Sequence, residues 1–308
     1  MSAENSSNKA VNDHIFSKKH FTLWGKIRRF IITNHTAYAV VSFLRLKKLK
    51  NFFENLFSDK QKLDRITWMM TTITRQPFLS GFLVDVVSHC NLNCKYCGHF
   101  SPLVKEQFMP REAFEKDMRR MSVLSGGDVG SIRLMGGEPL LHPELLDFLS
   151  ITKKLFPKTT LIIVTNGILL QNKDDAFWQA LKEMDVIIYL SKYPIKINLK
   201  KIDDMAYKFG VRIDYVGLGT GVKTMFHCPF DLSGSQNATY NYLRCGAGNG
   251  PCAQLENGKF FTCGVPSKIY LFNQYFNQNL EITEKDYVDI YKINSMDELL
   301  DQIARPIP

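Results

Sequence analysis

Ser131-Ile132-Arg133-Leu134-Met135-Gly136-Gly137-Glu138-Pro139 reads as a strand that runs into a glycine turn. Glu144 to Phe156 then has helical spacing, with Pro143 placed where a helix tends to start. Thr160-Leu161-Ile162-Ile163-Val164 is the next strand and ends at Thr165-Asn166-Gly167. The same unit recurs on both sides. Upstream, Phe82 to Val87 is a strand and Arg111 to Leu124 a helix. Downstream come a helix from Asp174 to Met184, a strand from Val186 to Leu190, a helix from Leu199 to Phe209 stopped by Gly210, and a strand from Val211 to Val216. Strands separated by helices predict a parallel sheet. The fold class expected is α/β, a partial (β/α)6-type barrel with its chemistry at the strand C-terminal ends.

The pattern stops after residue 217. Residues 217–268 are rich in Gly, Asn and Cys, and one hairpin stands out there. Cys252 to Glu256 and Lys259 to Cys263 flank Asn257-Gly258, a pair that tolerates positive φ at both turn positions. Residues 269–295 read as loop-rich, and Ser295 caps a short closing helix to Ala304. Three parts are expected: a basic, largely helical segment over 1–78, the α/β core over 79–217 and a Cys-rich extension over 218–308.

The net charge of +9 lies wholly in the first part, since residues 1–80 hold 14 Lys/Arg against 5 Asp/Glu. Trp24, Ile27, Phe30 and Ile31 recur at helical spacing there, as do Phe43, Leu46 and Leu49, with Lys47, Lys48 and Lys50 mostly opposite. Such helices can pack on their own chain, dock on a partner or lie on an anionic membrane surface. No nucleic-acid motif accompanies the charge, so no nucleic acid is expected. No apolar run is long enough to span a membrane, and the polar first twenty residues contain no secretory signal. The expected location is the cytoplasm, with reduced cysteines and room for peripheral membrane contact.

Cys90-Asn91-Leu92-Asn93-Cys94-Lys95-Tyr96-Cys97 is the strongest chemical feature. Three thiolates on one loop can bind a metal cluster. They leave a cubane with one iron open, as a catalytic site requires and a structural site avoids. A zinc loop and three unlinked core cysteines are the plainer alternatives. Gly136-Gly137-Glu138-Pro139 ends the second strand, where two glycines permit close backbone approach and an anionic Glu can accept from an ammonium group. An ordinary strand-to-helix turn would also use such residues. Four cysteines remain, Cys228, Cys245, Cys252 and Cys263, one complete ligand set for a second cubane or for a tetrahedral zinc. Asp85 and His99 lie near the expected mouth without an assigned role.

The C-x3-C-x2-C motif, with Gly136 to Pro139 about 40 residues on at the tip of the next strand, resembles the radical S-adenosylmethionine (SAM) superfamily. The resemblance covers roughly residues 80–268. It implies a [4Fe-4S] cluster on Cys90, Cys94 and Cys97, with the open iron chelated by the amino and carboxylate groups of SAM. It puts Tyr96 beside the adenine, Gly136 to Pro139 at the methionine amino group, and Asn166, Ser191 and Lys192 among the cofactor contacts. The implied reaction is reductive cleavage of SAM to a 5′-deoxyadenosyl radical that takes a hydrogen atom from the substrate, with a reducing partner such as flavodoxin or ferredoxin. Spacing around Cys245, Gly258 and Cys263 resembles the SPASM or twitch extension, which carries an auxiliary cluster. The full SPASM pattern has seven cysteines where this chain has four, so either the shorter form suffices or the sequence is cut short.

Relatives with the Cys97-Gly98-His99-Phe100-Ser101-Pro102 run are reminiscent of carbohydrate pathways. Residues 1–75 lack the strand signals of a peptide-binding winged helix. A small-molecule or glycan substrate is therefore expected ahead of a peptide or protein. An iron–sulfur electron carrier would not need Gly136 to Pro139, and a zinc-stabilised binding protein would not leave a three-cysteine open site.

Overall fold

The computed structural model describes residues 78–95, 97–216, 232–236, 238 and 252–304. The basic helices expected in the first 77 residues, Tyr96, Cys228 and Cys245 lie outside the described residues.

Five strands alternate with helices as the hydrophobic runs predict. They are β1 (Phe82–Val87), α1 (Arg111–Ser125), β2 (Ser131–Gly136), α2 (Leu145–Leu155), β3 (Thr160–Thr165), α3 (Asp175–Glu183), β4 (Val186–Ser191), α4 (Leu199–Phe209) and β5 (Ile213–Val216). All neighbouring pairs among β1 to β5 are parallel. Helix boundaries follow local chemistry. The Asp174 and Asn198 side chains accept from Phe177 and Lys201 N–H groups, and Gly210 closes α4 in the left-handed conformation. Pro143 stands one residue before Glu144, the cap of α2, and not inside its first turn.

The C-terminal residues complete this sheet. β6 (Gln254–Glu256) pairs in parallel with β1 and supplies a sixth parallel strand. It turns through Asn257-Gly258, both at positive φ, into β7 (Lys259–Phe261), which pairs antiparallel with β8 (Tyr287–Asp289). The order is β5-β4-β3-β2-β1-β6-β7-β8, which puts β1 in the middle with all six residues buried. The result is a mostly parallel α/β sheet of the partial (β/α) barrel type.

Residues 269–295 are more regular than their sequence suggests. After a short helical turn, α5 (Gly264–Ser267), they form α6 (Ile269–Phe276) and then β8. α6 is aromatic-rich and lacks a side-chain N-cap, so the usual helix start signal is missing. The closing helix α7 (Met296–Ile303) has the expected cap, Ser295, accepting from Glu298 N–H.

One face of the sheet packs on the helices. α1 contributes Phe114, Met118 and Met121 at helical spacing, and α3 contributes Phe177, Trp178 and Leu181. β2 alternates accordingly: Ile132 and Leu134 join this core, whereas Arg133 and Met135 are half-buried on the opposite face. Phe82 meets Phe156 and Phe260 edge-on, at 6.4 and 5.8 Å between centroids, and so ties β1 to both neighbouring regions. Among the described residues no helix is long and apolar enough to cross a membrane.

Candidate active site

The site forms where the chain leaves β1, β2, β3 and β4. Cys90, Cys94 and Cys97 are all half-buried in the loop after β1, and no disulfide joins them. Leu92 N–H donates to Cys90 Sγ at 3.4 Å. Burial raises the Cys90 thiol to about 11, with Glu138, Cys97 and Cys94 adding to the rise against the Leu92 N–H. The three sulfurs are therefore electrostatic neighbours. Among the described residues no three His, Cys, Asp or Glu side chains converge as tightly as one metal ion requires.

The glycine turn after β2 locks onto this loop. Gly137 N–H donates to Val87 O at 2.8 Å and Glu138 N–H to His89 O at 3.2 Å, which extends the parallel ladder beyond the strand ends. Gly136 has φ +123°, and a Cβ there would lie 2.1 Å from Val87 O. A Cβ on Gly137 would lie 1.8 Å from His89 O and 3.0 Å from Cys90 N. Only glycine allows two backbones this close.

Glu138 is 0% exposed. Its Oε1 accepts from Thr165 Oγ1 at 2.7 Å and Leu140 N–H at 3.1 Å, and its Oε2 accepts from Asn166 N–H at 2.9 Å. Burial raises its carboxyl, with the Asn166, Thr165 and Leu140 donors opposing that rise. The carboxylate expected to face an ammonium group is thus enclosed, tying the tip of β2 to the tip of β3. Asn166 carries the link onward: its Nδ2 donates to Asn91 Oδ1 at 2.7 Å and reaches Cys90 Sγ at 3.8 Å. Ser191 is buried at the tip of β4, and Lys192 Nζ sits 4.2 Å above the Tyr215 ring centroid.

Replacing Thr165 by valine keeps its shape and removes one Glu138 donor. The expected loss is roughly 1.5–3 kcal/mol at neutral pH. With fewer donors the folded carboxyl rises further, so the loss grows as pH rises through the wild-type folded value, itself above the ordinary Glu range, and is smaller in acid below it, the unfolded Glu being common to both proteins. Urea unfolding at several pH values checks both size and direction.

Two features escaped the sequence reading. Tyr193 lies near the sulfurs: burial and then Cys94, Cys97, Cys90 and Glu138 hold its phenol above the usual tyrosine range. Its signal was position, directly after Ser191 and Lys192 at the β4 tip. The second is a buried ionic group around Asp85, whose Oδ2 takes His99 Nδ1 at 3.0 Å and Lys268 Nζ at 3.3 Å. Of the second cysteine set, Cys252 and Cys263 flank the β6–β7 hairpin. Each stands two residues outside the paired strands, whose register ends at Gln254 and Phe261.

Comparison with known proteins fits this geometry. Residues 84–192 match the family model of the Radical SAM superfamily. A GTP 3′,8-cyclase from Chlorobaculum tepidum is 37% identical over 101 residues, 32% of this chain and 28% of that protein. The Bos taurus molybdenum cofactor biosynthesis protein 1 is 34% identical over 87 residues, 28% of this chain and 13% of that protein. The chain thus spans less than a third of the length of these curated relatives. BtrN in complex with AdoMet and 2-DOIA aligns at 25% identity and TM-score 0.38, over 44% of this chain and 56% of that one. Native anSMEcpe with bound AdoMet aligns at 17% identity and TM-score 0.46, over 71% and 79%. β2 to β4, the three-cysteine loop and the glycine turn all lie inside the matched residues 84–192, so this stretch of the chain is similar to the Radical SAM superfamily.

Proposed function

We propose that this chain is a radical SAM enzyme acting on a small-molecule or glycan substrate. The observation that carries it is the pairing of two loops. A three-cysteine loop is fixed, backbone against backbone, to the Gly136-Gly137 turn, at strand C-terminal ends. When bound, a [4Fe-4S] cluster on Cys90, Cys94 and Cys97 supplies the electron that splits SAM into methionine and a hydrogen-abstracting 5′-deoxyadenosyl radical. The chain's part is to hold and orient. Leu92 N–H and Asn166 Nδ2 steady Cys90 Sγ. Glu138, closed off from solvent, braces the β2 and β3 tips, which leaves the backbone of Gly136 to Pro139 to meet the methionine amino group. Tyr96, Asn166, Ser191 and Lys192 complete the cofactor contacts in this reading, and Tyr193 joins them beside the sulfurs. Cys252 and Cys263, at the two ends of one hairpin, form half of a second ligand set with Cys228 and Cys245, for an iron–sulfur cluster or zinc.

The curated relatives named for a nucleotide cyclisation match about a third of this chain and of their own length, so their substrate is not carried over. A peptide substrate remains the second reading, supported by the aromatic surface that α6 exposes at Tyr275 and Phe276.

The test is iron, zinc and acid-labile sulfide per chain on anaerobically purified protein, followed by 5′-deoxyadenosine formation from SAM under reduction. About eight irons with matching sulfide would support two cubanes, and about four with zinc would support one cubane and a structural ion. No iron after reconstitution would overturn the proposal.

A further inference from the structure

Beneath the glycine turn, the sheet buries charge that the proposed chemistry does not use. Asp85 of β1 and Lys268, just after α5, have side chains only 2% and 3% exposed. Lys268 Nζ reaches Asp85 Oδ2 at 3.3 Å and Glu256 Oε1 at 2.7 Å, so one ammonium serves two carboxylates. His99 Nδ1 lies 3.0 Å from Asp85 Oδ2 and must be the donor, since an ionised carboxylate only accepts. Asp85 Oδ1 is buried without a hydrogen-bond partner.

Burying ions costs several kcal/mol each, and apolar side chains of similar volume would serve packing as well or better. Two carboxylates face one ammonium and the His99 ring here, and the ammonium lies closer to Glu256 than to Asp85. Burial alone would push the Asp85 carboxyl up, but His99 and Lys268 hold it well below the usual carboxylate range. Asp85 is therefore ionised throughout the neutral range. Lys268 is likewise held above the usual lysine range, because Asp85 and Glu256 outweigh its burial.

The position of this charge is specific. A Cβ on Gly136 would lie 3.2 Å from Asp85 Cβ, so Asp85 sits directly under the glycine turn. His99, two residues after Cys97, joins it to the cysteine loop. The charge thus touches both loops of the candidate site.

We propose that Asp85 is a potential-setting residue: its buried negative charge makes a cluster on Cys90, Cys94 and Cys97 harder to reduce, with Lys268 limiting the effect. The inference rests on the cluster reading above. Adding an electron to a thiolate-bound cluster beside a buried anion is opposed electrostatically, and cluster potentials respond to nearby charge. The reduced cluster is correspondingly a stronger reductant, as cleavage of a sulfonium carbon–sulfur bond demands.

The test is a redox titration, followed by EPR, of the full chain loaded with iron and sulfide. The relevant cluster is the one whose signal changes on adding SAM. D85N is expected to shift its midpoint upward, because Asn keeps an acceptor for His99 and leaves Lys268 paired with Glu256. K268M is expected to shift it downward, and K268R to stay near wild type. Opposite shifts separate a charge effect from loosened packing, which would move both variants the same way. Should K268M not fold, D85N alone decides. Equal midpoints for D85N and wild type, both fully loaded, would overturn this inference alone. A wild-type chain that takes up no iron would overturn the cluster reading, and this inference with it.

Discussion

Replacing Gly137 by alanine is expected to abolish cluster loading and to destabilise the fold by roughly 3–5 kcal/mol. The reason is one methyl group against backbone. The new Cβ would lie 1.8 Å from His89 O and 2.3 Å from its carbonyl carbon. A flexible side chain could swing aside; a peptide group at the end of a fully buried strand cannot. The chain at His89 and Cys90 must move outward, which breaks the Gly137–Val87 and Glu138–His89 hydrogen bonds together. Losing two backbone bonds at about 1 kcal/mol each, on top of the overpacking strain, gives the stated size. Cys90 moves with His89, so the three sulfurs no longer share one arrangement. Urea unfolding and iron content on the same preparation test it. Wild-type stability with full iron would show that the two loops are not locked as described.

The core strands were legible because most are short runs rich in β-branched residues, closed by Gly, Asn or Ser at the tip. Phe82–Val87 matches its sequence reading residue for residue, and α4 does the same through Asn198 and Gly210. The cysteine loop and Gly136-Gly137 were legible as chemistry because their residue types have few other uses at that spacing. What was hidden depends on pairing across long separations. Nothing local in Gln254-Leu255-Glu256 says that it lies parallel to β1, some 170 residues earlier. The ionic group of Asp85, His99, Glu256 and Lys268 was invisible for the same reason, as its members come from four separate segments. The enclosure of Glu138 was hidden as well, because sequence supplies charge but not burial. Its three donors come from Thr165 and Asn166 at the tip of β3 and from Leu140 just after Pro139.

Cys94→Ala should leave the unloaded protein's stability within about 0.5 kcal/mol of wild type and lower SAM cleavage roughly a thousandfold or more. The two halves of this expectation have different causes. Cys94 is half-buried on a loop outside the hydrophobic core, so truncating it opens no core cavity. Its sulfur is one of three protein ligands available to the cluster, and two thiolates from one loop cannot hold three irons in place. Cys263→Ala is the informative contrast. Cys263 lies two residues beyond β7, at the open end of the hairpin and away from the glycine turn. Its loss should remove the second metal while 5′-deoxyadenosine still forms in the presence of a strong reductant. If the two variants lose cleavage equally, the hairpin cysteines belong to the same functional unit as the first loop, and the division into catalytic and auxiliary sites is wrong. If Cys94→Ala keeps wild-type cleavage, the three-cysteine loop is not the ligand set and the enzyme reading falls. Iron per chain, measured beside cleavage for both variants, separates these cases, because an absent cluster and an inert one give the same activity but different metal content.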